Sequence, residues 1–172
     1  MIEVYKTDLT DVLRIIPPTK FRDNRGDYIE IYNEAIYNEA GIKVKFIQDD
    51  ISISKKRVLR GIHGDFETWK LITCLHGNFW LIVTDIRCES SDFRRWTSFL
   101  MKENDYQILI PPGFGNGHMV MSDYSIFHYK QSTIYDRSKQ FTIAWNDPLF
   151  QFYWPLNNPI LSERDKGFQN VT

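Results

Sequence analysis

Between Phe46 and Trp145 the chain is a succession of short β-rich runs separated by turn residues, and this spacing constrains the fold more than any other feature. LITCL ends at His76-Gly77-Asn78, FWLIVTDI gives way to a polar stretch, WTSFL ends at Glu103-Asn104-Asp105, and YQILI ends at Pro111-Pro112-Gly113. HMVMS, SIFHYKQSTIY and FTIAW follow. Runs that recur about every ten residues, with no long amphipathic helical period between them, predict an antiparallel sandwich or barrel rather than a parallel α/β sheet. The expected fold is all-β and jelly-roll-like. One helix is expected, over Asn33–Ala40, where Glu and Ala favour helix and Gly41 stands in position to end it. Its shortness predicts a peripheral place.

Residues 31–40 read IYNEAIYNEA, a duplication whose period matches neither a helix nor a strand, so it is read as carrying no functional meaning. No Gly/Ser/Pro-rich linker divides the chain, and at the usual ~150 residues per domain residues 1–172 are expected to form one domain. From about Trp154 onward, Pro155, Pro159 and Asn157-Asn158 predict an irregular tail that either frays or folds back over a site.

Composition excludes several classes of function. The 21 Lys and Arg residues against 22 Asp and Glu leave a net charge of -1, which argues against a surface that neutralises nucleic-acid phosphates. A hydrophobic fraction of 42%, with 12 Phe, 9 Tyr and 5 Trp, supplies ample core and excludes disorder for most of the chain. Cys74 and Cys88 are too few for a disulfide scaffold and read as ordinary strand residues. The first residues contain no apolar stretch of signal-peptide length, and no window approaches the ~20 apolar residues of a membrane span. A soluble, cytoplasmic protein with no membrane or nucleic-acid partner is expected.

Chemistry concentrates at Arg60-Gly61-Ile62-His63-Gly64-Asp65, which follows Lys55-Lys56-Arg57 and is followed by Lys70. A histidine titrates near neutrality and can take a proton from carbon if a partner holds its ring and a cation stabilises the resulting charge. The alternative is that His63 satisfies a turn and the cations are solvated. A metal-binding cupin would carry two histidines one residue apart with a following Glu, and another histidine after its Pro-x-Gly sequence. Here Asp65 stands at the second histidine position and Asn116 follows Pro111-Pro112-Gly113-Phe114-Gly115. One imidazole and an amide are a poor set for a transition metal, so neither metal nor cofactor is expected; Glu67 and His118 keep a metal reading open. No Gly-x-Ser-x-Gly elbow and no Gly-rich phosphate loop is present. His76, in a Gly-Asn turn, reads as solvated. Strand alternation puts His128 on the opposite face from Phe127 and Tyr129, so an interior along this run is lined by the latter two.

Taken in order, several segments closely resemble the nucleotide-sugar 3,5-epimerases typified by dTDP-4-dehydrorhamnose 3,5-epimerase. They are Phe21-Arg22-Asp23-Asn24-Arg25-Gly26 with Glu30, Phe46-Ile47-Gln48-Asp49, Val58-Leu59-Arg60-Gly61-Ile62-His63, Lys70-Leu71 and Val83-Thr84-Asp85-Ile86-Arg87. Ile110-Pro111-Pro112-Gly113-Phe114, Tyr129-Lys130, Trp145-Asn146-Asp147-Pro148, Trp154-Pro155 and Leu161-Ser162-Glu163-Arg164-Asp165 complete the set. The resemblance implies a metal-free jelly roll, usually a homodimer, that binds a 4-keto sugar nucleotide inside the barrel. It implies that His63 is the base, Asp165 the carboxylate that orients it, Tyr129 the acid on the opposite sugar face, and Lys70 the cation beside the 4-keto oxygen. Arg60 matches a substrate contact, and Arg25, Glu30 and Gln48 align with positions lining the nucleotide and sugar pocket.

The chain also departs from the rhamnose pattern. The segment after His63 lacks the usual aromatic-Gln pair and is shorter before the lysine, and Asn116 stands where those enzymes usually carry a histidine. Asn116 offers hydrogen bonds but no titratable proton. Arg-Gly-Ile-His-Gly-Asp, Gly-Phe-Gly-Asn-x-His and Pro-Ile-Leu-Ser-Glu-Arg-Asp are more similar to the branch acting on GDP-linked 4-keto-6-deoxy-heptoses in bacterial capsule assembly. A heptose substrate is therefore expected first and a rhamnose precursor second. A non-catalytic carbohydrate-binding jelly roll and a metal cupin or ketoisomerase stand as the other classes.

Overall fold

A computed structural model describes residues 2–17 and 19–166. Its strands are β1 (Glu3–Lys6), β2 (Leu13–Ile16), β3 (Thr19–Asp23), β4 (Gly26–Glu30), β5 (Gln48–Lys55), β6 (Leu59–Gly64) and β7 (Lys70–His76). They continue with β8 (Asn78–Asp85), β9 (Trp96–Lys102), β10 (Gln107–Ile110), β11 (Phe114–Val120), β12 (Tyr124–Gln131) and β13 (Phe141–Thr142). Two short α-helices, α1 (Glu34–Glu39) and α2 (Glu163–Lys166), and one 3-10 turn at Arg137–Lys139 are present among the described residues.

The strands form a six-stranded sheet in the order β1-β2-β10-β7-β12-β5, a five-stranded sheet in the order β13-β6-β11-β8-β9, and a separate β3-β4 hairpin. The two large sheets pack face to face as an all-β, jelly-roll-like sandwich. Ile72, Cys74, Ile108 and Phe127 from the first sheet and Phe79, Leu81, Val83, Met101 and Phe114 from the second share one buried cluster. Burying a side chain of this size stabilises the fold by about 1.5–3 kcal/mol, so this shared core joins the layers.

Strand alternation then decides what faces the interior. On β12, Phe127, Tyr129 and Gln131 point inward and His128 and Lys130 outward, as the run itself suggests. On β5, which pairs Ser52 with Phe127 and Asp50 with Tyr129, the outward residues Ile51 and Ile53 are 59% and 63% exposed. The strand expected to begin at His118 begins instead at Phe114. Its glycines, Gly115 and Gly117, are demanded by packing. A Cβ at Gly115 would lie 2.7 Å from Ile62 Cγ2, and one at Gly61, whose φ is +116°, would lie 2.5 Å from Gly117 Cα. The chain therefore brings β6 and β11 closer together than side chains would permit.

Helix α1 lies within the expected span. Asn33 Oδ1 accepts hydrogen bonds from the N–H groups of Ala35 and Ile36 at its start, and Gly41 adopts a positive φ of +87° just past its end. It sits on the outer side of the six-stranded sheet, where Tyr37 packs with Ile15, Leu71 and Leu109. The two copies of IYNEA thus differ in conformation: the first enters the helix only at Glu34 and Ala35, and the second is helical through Glu39. At the other end of the chain the tail folds back. Ile160 makes a parallel bridge to Val58 and exchanges backbone hydrogen bonds with Arg57 and Leu59 at 2.8 and 3.0 Å. Helix α2 follows; the last six residues of the tail lie outside the described residues.

Candidate functional site

One cavity of about 280 Å³ opens between the sheets where the apolar core stops at Phe127 and Tyr129. His63 enters it from β6, opposite Asn116 on β11 and Thr142 on β13. Lys70 enters from the start of β7 and Tyr129 from β12, both in the other sheet. Asp165 arrives on α2, and its Oδ1 lies 2.7 Å from His63 Nε2. Ser162 Oγ donates to the other oxygen of Asp165 at 2.9 Å, which leaves the carboxylate little freedom to turn. A larger recess of about 910 Å³ lies elsewhere, lined by Leu13, Ile42, Val44, Trp69 and Leu109 with Lys43, Lys45 and Arg87. It holds no histidine or tyrosine, so size and chemistry point to different places and chemistry decides.

Burial sets the electrostatics. It pushes the pKa of His63 down, and the hydrogen bond and charge of Asp165 oppose the shift without reversing it. The ring is therefore neutral and basic at pH 7. Burial pushes Lys70 down to about 8, against the pull of the nearby Asp65 carboxylate. Lys70 Nζ donates to Asn116 Oδ1 at 3.2 Å. Burial pushes Tyr129 up to about 12, so its phenol keeps its proton throughout the neutral range. The cavity thus holds a neutral imidazole, a protonated phenol and a confined ammonium, an arrangement suited to moving protons on carbon beside a carbonyl.

Arg60 lines the same cavity, with its Nε donating to Ser54 Oγ at 3.1 Å. Gln48 lies outside the lining. Its Oε1 accepts from the N–H of Tyr135 at 2.8 Å, and Tyr135 does line the cavity. Arg25 and Glu30 are not brought to the cavity of their own chain. Arg25 sits at the tip of the β3-β4 hairpin and bonds to Asp23 at 2.6 Å, bordering a surface recess with Phe21 and Tyr28. Glu30, at the base of the hairpin, accepts from Asn33 Nδ2 at 2.8 Å. The two residues that left a metal reading open do not converge. Glu67 pairs with Lys139 at 2.6 Å on the surface, whereas His118 lines the cavity.

Sequence reasoning passed over Ser52, Gln131, Tyr135, Gln140, Ser162 and Arg164, which also line the cavity. Gln131 shares the parity of Phe127 and Tyr129 and was within reach of the alternation argument. Ser162 and Arg164 flank Asp165. Tyr135 closes the run SIFHYKQSTIY with the same parity, although the strand itself ends at Gln131, and Gln140 lies in a connection that carries no periodic signal.

The family model for dTDP-4-dehydrorhamnose 3,5-epimerase matches residues 6–172. The chain belongs to the dTDP-4-dehydrorhamnose 3,5-epimerase family. It is accordingly an isomerase. Its relatives include the dTDP-4-dehydrorhamnose 3,5-epimerases of Shigella flexneri, 40% identical over 95% of this chain and 93% of the relative, and of Salmonella typhimurium, 41% identical over 96% and 93%. Among solved structures, the Bacillus anthracis dTDP-4-dehydrorhamnose 3,5-epimerase with TDP and PPi bound superposes with a TM-score of 0.93 at 29% identity, covering 99% of this chain and 100% of that one. The Legionella pneumophila dTDP-6-deoxy-D-glucose-3,5-epimerase in complex with dTDP-4-keto-L-rhamnose gives 0.91 at 32% identity, covering 96% and 90%. Members of the family thus share the jelly roll. The expected closeness to GDP-heptose enzymes finds no support in these relatives, whose names all point to dTDP-linked sugars. No helix among the described residues is long and apolar enough to cross a membrane.

Proposed function

We propose that this family member inverts C3 and C5 of a dTDP-linked 4-keto-6-deoxyhexose by proton transfer. The observation that carries the reading is the convergence of His63, Lys70, Tyr129 and Asp165 on one cavity. A ketone at C4 acidifies the hydrogens on C3 and C5, because the charge left by their removal spreads onto oxygen. His63 takes the proton from one face of the ring, and the electron pair of the C–H bond moves into an enolate. Lys70 places its ammonium beside the enolate oxygen. The Tyr129 phenol then gives its proton to the same carbon from the other face, and solvent restores both side chains. Asp165 holds the His63 ring in one tautomer and stabilises the imidazolium. Arg60 contacts the diphosphate, and Gln48 supports the nucleotide end through Tyr135. No electron transfer is involved, so the reaction asks nothing of a redox group.

The dTDP assignment follows the relatives solved with TDP or with dTDP-4-keto-L-rhamnose. One observation favours a second reading, a GDP-linked heptose: Asn116, in place of the histidine usual in the rhamnose enzymes, faces Lys70. We also infer a homodimer in the cytoplasm. The β3-β4 hairpin supports the dimer, because it displays Phe21 and Tyr28 at 66% and 68% exposure and carries Arg25 away from its own cavity. In a dimer the hairpin would bring Arg25 and Glu30 to a second copy.

The deciding experiment is mass-resolved incorporation of solvent deuterium, in chelator-containing buffer, into dTDP- and GDP-linked 4-keto sugars. Two hydrogens washing out of the dTDP-hexose is the expected result, and one would mean that a single centre inverts. Binding with no exchange would mark a carbohydrate-binding module, and activity restored only by an added ion would mark a metal enzyme. Light scattering reads the dimer.

A further inference from the structure

His118 lines the cavity and has no part in the proton transfers described above. It is 3% exposed, lies parallel to Phe127 with ring centroids 4.1 Å apart and an interplanar angle of 7°, and rests at a tilt on Phe79 at 5.2 Å. The two phenyl rings hold its orientation. Its Nε2 is buried without a hydrogen-bond partner, a state that costs stability unless a ligand relieves it. Ser52 Oγ, also in the cavity wall, shares this condition. On the outer face of the sheet His128 leaves Nδ1 unpaired as well, but it borders none of the cavities described above.

We propose that His118 is a specificity contact, hydrogen-bonding through its ring nitrogens, neither of which has a protein partner among the described residues, to an uncharged hydroxyl of the sugar. The inference rests on the sugar-nucleotide reading and names one group that reads the sugar. Burial among phenyl rings, with the Arg60 charge nearby and that of His63 once it is protonated at low pH, pushes the His118 pKa down to about 3. The ring therefore brings no charge with which to offset a phosphate, and Arg60, its cross-strand partner, supplies that charge instead. A neutral imidazole offers one N–H and one lone pair, the complement of a hydroxyl, whereas a methyl group at the same place would leave the nitrogen unmet.

The test compares proteins that keep or lose the imidazole on substrates that keep or lose a single hydroxyl. Wild type and His118→Phe, which keeps the aromatic stack, are assayed on a dTDP-linked 4-keto-6-deoxyhexose, on its single-deoxy analogues and on a chain-extended 4-keto sugar with one more hydroxyl. We expect His118→Phe to lose about 10-fold or more in kcat/KM on substrates bearing the contacted hydroxyl. On the analogue lacking it, variant and wild type should agree within about threefold, and His118→Gln should recover part of the loss. In the wild type, the 15N resonances of the His118 ring should shift on adding the keto-sugar nucleotide and stay in place with dTDP alone. Equal losses on every substrate, no loss on any, or a ring shift produced fully by dTDP would overturn the proposal. If the wild type exchanges no hydrogen in any of these sugars, the epimerase reading fails, and the resonance shift still decides the role of His118.

Discussion

Besides the exposed turn pair His76–Glu103, two histidines whose side chains are mostly buried sit within hydrogen-bonding distance of a carboxylate, on opposite sides of the six-stranded sheet. His63 Nε2 lies 2.7 Å from Asp165 Oδ1 and His128 Nε2 lies 2.9 Å from Asp49 Oδ1. Burial lowers both imidazole pKa values and the carboxylate opposes both shifts. Neither distance nor titration tells them apart. Their surroundings do: the Asp165 side chain is 3% exposed and anchored by Ser162, whereas Asp49 is 54% exposed and shared with Lys130 at 2.8 Å. His63 faces a cavity with Lys70 and Tyr129 across it, and His128 faces outward. A paired histidine becomes a base when groups able to receive and stabilise charge converge on the same space.

The strongest way to break this contrast is His63→Ala, which should lower solvent hydrogen exchange into substrate by about 10²–10⁴-fold; deuterium incorporation by mass spectrometry reads it. Next comes Lys70→Met, expected to cost about 10²–10³-fold in kcat with a smaller change in KM, because the ammonium matters most once the enolate forms.

The pH profile sharpens the comparison further. His63 must be neutral and Lys70 charged, so kcat/KM should fall on the acid side below the ordinary histidine value of 6.5 and on the alkaline side above about 8. An alkaline limb absent from initial-rate measurements to pH 9.5 would remove Lys70 from this role.

Stability against acid separates the interior histidines from ordinary ones. The unfolded chain protonates His118 near 6.5 and the folded chain only near 3, so the unfolded state binds the extra proton across that window. Stability therefore declines as pH falls from 6.5 toward 3 and is insensitive to this group above 6.5. Urea melts at pH 4.5 and 7.5 should show a smaller difference in His118→Phe than in wild type. The smallest effect is expected of Asp49→Asn: a loss of about 0–1 kcal/mol, because the Asp49 carboxylate is itself half exposed to solvent, with exchange activity within about twofold of wild type.

Much of the fold was legible from strand periodicity alone. The runs at 71–75, 79–86, 96–100 and 106–110 fall on β7, β8, β9 and β10, and the inward face of Phe127 and Tyr129 follows from alternation. The glycine-bearing stretch at 114–117 hid the start of β11, because glycine there answers to the close approach of Ile62 and Gly61, residues remote in sequence. Arg25 and Glu30 read as pocket residues by resemblance, whereas hairpin geometry carries Arg25 away from its own cavity. No sequence pattern reports which side of a chain a projecting arm reaches.

The sequence by itself determined the alternation of apolar and polar residues, the turn positions and the identities of the reactive groups, since each depends on neighbours within a few residues. The tertiary structure decided which of those groups meet. It brought Asp165 back from α2 to a histidine in β6, set Lys70 and Tyr129 in the facing sheet, and left His118 buried with a nitrogen unpaired. Such meetings depend on the packing of strands distant in the chain, and the burial they create moves the pKa values on which the proposed chemistry runs.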